Sequence, residues 1–304
     1  MKFKLDLSID VNPLLDYKKP VLSIGSCFAD QMASKLTKAN FQVLANPFGT
    51  LYNPMSIVEN LEGTQTQATI LEHNGMFHSM KHHGDLSHEN KSELLDGIAS
   101  AQQSVASTLS QPKLTVLITF GTADVFTLDG EVVANCHKIP ASMFAQRLLS
   151  VKEIVASWTP LLNNYLNHDF VFTVSPVRYT KSGLHKNNIS KGILHVAVHE
   201  IVQSFANAHY FPAYEIVVDE LRDYRFYEED LVHPNHLAVQ YVWDKVQAYL
   251  FTERTQKMYK ALQILKQMEG HKLLHPNSDA AKKFVIKREN TKQQFIEAFG
   301  PLLT

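Results

Sequence analysis

Val21-Leu22-Ser23-Ile24-Gly25-Ser26-Cys27-Phe28-Ala29-Asp30 is an apolar run that ends in a Gly-Ser pair and passes directly into a helical pattern. Short apolar runs of this kind read as buried parallel strands. Glycine permits a sharp turn at the strand end. The helix start behind it offers free backbone N–H groups to a developing negative charge. This arrangement presents Ser26 as a nucleophile at the carboxyl end of a first core strand, residues 21–25. Cys27, one position into the helix start, is expected to point inward as a small buried hydrophobe.

Outward from this stretch, strand and helix patterns alternate. Met32, Ala33, Leu36 and Ala39 recur at helical spacing, and a short strand is expected near 41–45. Further strands are expected at 114–120, 169–174 and 214–218, and helices at 91–108, 188–208, from 233 to about 269, and 278–299. Ser142 is a candidate N-cap for another long helix, with a break near Pro160. Asp129-Gly130 signals a hairpin turn, and residues 3–9 alternate like an edge strand or arm. Segment 64–90 holds His73, His78, His82, His83 and His88, shows little periodicity, and is expected to form a cap over a pocket. The alternation indicates an α/β protein whose parallel sheet is covered on both faces, with ligands outside the carboxyl ends of the strands. A main domain over 1–250 and a helical C-terminal extension over 251–304 are expected.

With 304 residues, 45% of them hydrophobic and 19% charged, the chain can bury a sizeable core. A formal net charge of -1 supplies no global field, so neither nucleic acid nor a membrane is expected as a partner. Cys27 and Cys136 make no disulfide framework. The histidine-rich segment lacks ligand spacing and accompanying thiols or carboxylates, so no metal and no cofactor is expected. No apolar run approaches the roughly 20 residues of a membrane helix, and the first residues carry no signal-type apolar stretch. A soluble cytoplasmic protein follows as the expectation, with its oligomeric state open.

Chemistry concentrates at the two ends of the α/β pattern. Asp230-Leu231-Val232-His233-Pro234 places an acid three residues before a histidine, after the last core strand. Ser26 follows the first, so both sets reach the same edge of the sheet. Serine is a weak nucleophile until a base lies within about 2.6–3.2 Å. His233 would take the Ser26 proton and return it to the leaving group, while Asp230 orients the imidazole and stabilises its cation. Arg178, behind the strand at 169–174, could hold a substrate carboxylate or phosphate, or form an ion pair with Asp223 or Glu229.

Gly25-Ser26-Cys27-Phe28-Ala29 resembles the signature of the GSCFA-domain family, a bacterial branch related to the SGNH/GDSL esterases. The likeness continues through Asn46-Pro47-Phe48-Gly49-Thr50, Gly121-Thr122-Ala123, Asn135-Cys136-His137-Lys138, Ser175-Pro176-Val177-Arg178 and Asp219 to His233, over residues of roughly 20–250. The resemblance implies a three-layer α/β/α flavodoxin-like fold, with Ser26 as nucleophile, Gly49 as second oxyanion donor, and Asp230 and His233 completing a triad. Ala123 stands where the wider group carries an oxyanion-hole asparagine. Losing such a donor costs about 2.7–4 kcal/mol elsewhere, and Asn135, then His137, are the candidate replacements.

The function implied is a serine esterase acting on a small-molecule or carbohydrate O-acyl ester through an acyl-enzyme. An O-acyltransferase would use the same triad. The alanine at 123 leaves a third reading, a non-catalytic ligand-binding module.

Overall fold

The apolar runs become strands where helices cover both of their faces, in a computed structural model that describes residues 5–9, 11–63 and 69–300. From the amino terminus come β1 (Val21–Gly25), α1 (Cys27–Lys38), β2 (Val43–Ala45), α2 (Pro54–Glu62), the hairpin β3 (Ile70–His73) and β4 (Met76–Ser79), and α3 (Lys91–Leu109). Next are β5 (Thr115–Phe120), β6 (Asp124–Leu128), β7 (Glu131–Val133), β8 (Ala145–Leu148), α4 (Val151–Asn164) and β9 (Asp169–Val174). The chain then forms α5 (Leu184–Ser204), β10 (Ala208–Tyr210) and the short α6 (Ala213–Glu215), which continues as a π-helix over Ile216–Leu221. It closes with α7 (His236–Leu250), α8 (Glu253–Glu269) and α9 (Asp279–Phe299).

The central sheet has five parallel strands in the order β10-β9-β5-β1-β2. Read from the β2 edge, that is the second, first, third, fourth and fifth core strand along the chain, the doubly wound order of flavodoxin-like folds. Period-two alternation sorts the side chains of each strand between two cores. Leu22, Ile24, Val116, Ile118, Phe120, Phe170 and Phe172 face Trp158, Leu161 and Leu194 of α4 and α5. Val21 and Val171 face the opposite way, onto Phe28, Leu36, Val242 and Trp243 of α1 and α7. Burial of each such side chain contributes about 1.5–3 kcal/mol, so the register of β1 is strongly specified. Met258, Leu262 and Leu265 of α8 and Phe295 of α9 belong to this second core.

Four stretches differ from the sequence expectation. Residues 5–9 form no strand, although Leu7 and Ile9 pack on the second core, and residues 3 and 4 lie outside the described residues. Residues 70–79 form the β3–β4 hairpin rather than an irregular cap, and residues 64–68 lie outside the described residues. Ser142 caps no long helix: β8 pairs antiparallel with β6, and α4 starts only at Val151. The deciding signal is a capping box, in which Ser150 Oγ accepts from Glu153 N (3.2 Å) and the Glu153 carboxylate accepts from Ser150 N (2.7 Å). Pro160 sits inside α4 without ending it, because Trp158, Leu161 and Leu162 anchor that turn in the core. The strand expected at 214–218 is helical, and β10 at Ala208–Tyr210 is the edge strand, pairing with Phe170–Phe172. Ile216 and Val217 are β-branched, but they are buried beside Ala213 in the second core, and tertiary packing overrides their strand preference. Among the described residues no helix is long and apolar enough to cross a membrane.

Candidate active site

The strand–helix junction after β1 is sharply constrained. Gly25 has φ +142°, and a Cβ there would lie 2.3 Å from the Thr119 carbonyl oxygen of β5. Only glycine fits. Gly25 N donates to Asn46 Oδ1 (2.8 Å), Ser26 N donates to Thr119 O (3.1 Å), and Leu51 N donates to Gly25 O (2.9 Å). Asn46 Nδ2 also reaches Asp30 Oδ1 (2.6 Å), so the 46–50 segment braces the turn from outside.

Across the same sheet edge, Asp230 and His233 form a dyad. Asp230 Oδ2 lies 2.6 Å from His233 Nδ1, while Asp230 Oδ1 accepts from His233 N (3.0 Å) and Val232 N (2.8 Å). Leu231 takes a left-handed conformation (φ 58°), which folds the loop tightly enough for these contacts. The main-chain and ring donors of His233, with Val232 N, hold the Asp230 carboxyl down at about 2. A carboxylate at Nδ1 favours the tautomer that carries its proton there and turns Nε2 away from the pair. The loop is tied down by Glu228 N to His233 O (2.8 Å) and by Asn235, which caps α7.

The dyad opens on a cavity of about 570 Å³ walled by Cys27, Tyr52, Thr122, Arg178, Asn187 and Ser190, among others. Ser26 is not among its lining residues. Ser26 is 0% exposed, and its Oγ is buried without a hydrogen-bond partner. Cys27, expected to point inward, instead lines the cavity and is partly exposed. At this turn, where Gly25 has φ +142°, Ser26 is buried and the next residue, Cys27, meets the cavity wall. Burial pushes the Cys27 thiol up, as does Asp30, while the N–H groups of Phe28 and Cys27 at the start of α1 and the charge of Lys191 pull it down.

The remaining expected site residues divide. Gly49 does not line the cavity: its N–H donates to Asn46 O (2.8 Å), and a Cβ there would collide with His83 Cβ at 2.4 Å. Asn135 accepts from His137 N (2.8 Å) as a turn brace. His137 is buried, stacks on His78 at 4.7 Å and meets Ser79 O through Nε2 (2.8 Å). Neither Asn135 nor His137 lines the cavity. Arg178 does, and it also walls an adjoining cavity of about 260 Å³ with Asp219, Asp223, Tyr224 and Tyr227. Asp223 pairs with Arg225 (2.7 Å), and Arg178 Nε is buried without a hydrogen-bond partner.

The family model of the GSCFA family matches residues 20–246. The chain belongs to the GSCFA family. Comparisons with curated proteins and with solved structures found no match. In this GSCFA protein the family's name-giving pentapeptide, residues 25–29, is the braced junction, and the match ends within α7.

Sequence reading missed three polar residues on the buried stripe of α5: Asn187, Ser190 and Lys191. Ser190 Oγ accepts from Ala123 N (2.8 Å) and lies 3.0 Å from Thr122 Oγ1, holding the turn after β5. Asn187 accepts from Tyr179 N through Oδ1 (2.9 Å) and is the asparagine that reaches the cavity wall. Their signal was present in the sequence, at three- and four-residue spacing ahead of Leu194, Ala197, Val198 and Ile201.

Proposed function

We propose that this protein transfers acyl groups from an ester, as a thiol enzyme of the SGNH type, with Cys27 as nucleophile, His233 as base and Asp230 as its orienting carboxylate. The observation that carries the reading is that Cys27 and the Asp230–His233 dyad share one cavity that Ser26 does not line.

His233 Nε2 takes the Cys27 Sγ proton, and the thiolate attacks the ester carbonyl carbon. The resulting oxyanion lies over the N-terminus of α1, where the N–H groups of Cys27 and Phe28 already approach Sγ. Collapse breaks the carbon–oxygen bond, and the alcohol leaves with the proton from His233. Water, or a second hydroxyl in the transferase case, loses its proton to His233 and attacks the thioester, which returns the thiol. Arg178, with no carboxylate in ion-pair reach among the described residues, suits a negatively charged group on the substrate. Asn187 is the side-chain amide available to the carbonyl oxygen in place of the residue at 123.

Hydrolysis of an aryl acetate by wild type, Cys27→Ala, Ser26→Ala and His233→Ala tests the assignment. Turnover should fall at least a hundredfold in the Cys27 and His233 variants and survive in Ser26→Ala. A second reading keeps Ser26 as nucleophile, because its buried Oγ has no hydrogen-bond partner. Loss of turnover in Ser26→Ala with Cys27→Ala active would select it.

A further inference from the structure

A smaller cavity adjoins the one that holds Cys27 and the dyad, and Arg178 walls both. Its volume of about 260 Å³ falls below the roughly 300–1,000 Å³ of a pocket for a whole small molecule, which is the size of a subsite. The dyad loop contributes to each cavity. Asp230, Val232 and His233 line the larger one, and Leu231, the residue with φ 58°, lines the smaller. Arg178 N donates to Val232 O (3.4 Å), so the partition between the cavities is tied to that loop.

Another wall comes from an irregular helix. Ile216–Leu221 is a π-helix, a form met frequently at functional sites. It closes through Arg222 N to Val217 O (3.3 Å), and Arg222 itself sits at φ 37°, a conformation that costs free energy for a residue with a Cβ. Glu220 is buried against Lys245 (3.0 Å), while Asp219 and Arg222 meet the cavity.

Two guanidinium groups therefore meet in one small cavity, and among the described residues neither has a carboxylate in ion-pair reach. Arg178 Nε is buried with no acceptor. A buried donor left unpaired on a charged group is costly, and an anionic ligand offsets that cost. Asp223 is already paired with Arg225 (2.7 Å). With that pair cancelling, Arg178 and Arg222 against Asp219 leave one positive charge. Tyr224, 72% exposed, and Tyr227, with ring centroids 6.3 Å apart, add aromatic surface.

We propose that the smaller cavity is a subsite for a ring that carries a single carboxylate, held by Arg178 and Arg222 against Tyr224, Tyr227 and Leu231. A guanidinium takes a carboxylate through two parallel N–H bonds. One net positive charge matches one carboxylate, and Asp219 repels the second charge of a phosphate monoester. Because Arg178 borders both cavities, the subsite receives the anionic end of the ester whose carbonyl lies beside Cys27. That assignment rests on the acyl-transfer reading, and the binding itself does not.

Binding is read in Cys27→Ala, where no turnover intervenes. Benzoate is titrated into arginine-15N-labelled protein, and the Nε–Hε resonances of Arg178 and Arg222 are followed. Both should shift with one saturable midpoint. The dissociation constant should rise about tenfold or more in Arg178→Gln and in Arg222→Asn, asparagine being a residue that tolerates the left-handed backbone. Benzyl alcohol and phenyl phosphate should each bind about tenfold more weakly than benzoate, a comparison that needs neither variant to fold. No saturable shift with benzoate, an alcohol or phosphate bound as well as benzoate, or an unchanged constant in either folded variant would overturn the proposal. In wild type, benzoate should inhibit hydrolysis of 4-acetoxybenzoate competitively, and a non-competitive pattern would overturn the assignment to the substrate. Benzoate binding in a protein that turns over no ester would sustain the subsite and remove only the acyl-transfer reading.

Discussion

Acid should loosen the brace around the turn between β1 and α1. His82 and His137 are buried, and burial holds both imidazoles down at about 4; the charge of His137 acts the same way on His82, and those of His78 and His83 on His137. His82 Nδ1 meets Ser79 Oγ (2.7 Å) and the His82 ring lies 5.5 Å from Phe48, inside the 46–50 segment that grips Gly25. In the unfolded chain a histidine titrates at about 6.5. As pH falls through that value the unfolded state binds a proton that the folded state refuses. The stabilisation is therefore complete above about pH 6.5 and is lost progressively down to about pH 4. One and a half pH units at about 1.4 kcal/mol each give a loss of about 2 kcal/mol per histidine at pH 5. His195 and His209, also lowered by burial, add in the same direction, so the variant isolates one contribution. His82→Gln retains a polar partner for Ser79 and cannot titrate. Urea unfolding at pH 7 and pH 5 should show a loss that is smaller by about 2 kcal/mol in His82→Gln than in wild type. An equal loss in both proteins would refute the reasoning.

Gly25→Ala should destabilise by more than about 3 kcal/mol, from a strained φ and a collision with Thr119 O at 2.3 Å, measured as a fall in thermal midpoint. Asp230→Asn should keep the fold and lower kcat by about 10²–10⁴, because the amide no longer fixes the His233 tautomer; an unchanged kcat would deny the dyad its role. Arg178→Gln should raise KM about tenfold or more for an ester carrying a carboxylate and leave a neutral ester unaffected.

How much was legible depends on what the residues had to announce. Residues 21–25, 115–120 and 169–174 are covered on both faces, so burial writes them as unbroken apolar runs. The edge strand at Ala208–Tyr210 is three residues long with two of them half-buried, and nothing marks it against the β-branched Ile216–Val218 that follows. The Asp230–His233 pair was readable because acid and base meet within a single loop. Ser26 against Cys27 was not. The two are adjacent at a strand–helix junction, and residue type alone does not say that Ser26 is sealed while Cys27 meets the cavity. Asn135 and His137 were candidates because Ala123 calls for a replacement oxyanion donor, yet Asn135 braces its own turn and the His137 ring meets Ser79 O. Lys191 stands at the spacing of the buried stripe ahead of Leu194 and Val198, but a lysine at such a position reads as a solvated face, because lysines are seldom fully buried.

The most direct test of Cys27 as the nucleophile is to find the acyl group itself. Rapid acid quench during turnover of an aryl ester, followed by peptide mapping with fragmentation between residues 26 and 27, should place one acyl group on Cys27. It should be a hydroxylamine-labile thioester, present in Ser26→Ala and absent in Cys27→Ala. An oxygen ester on Ser26 that persists in Cys27→Ala would contradict the account.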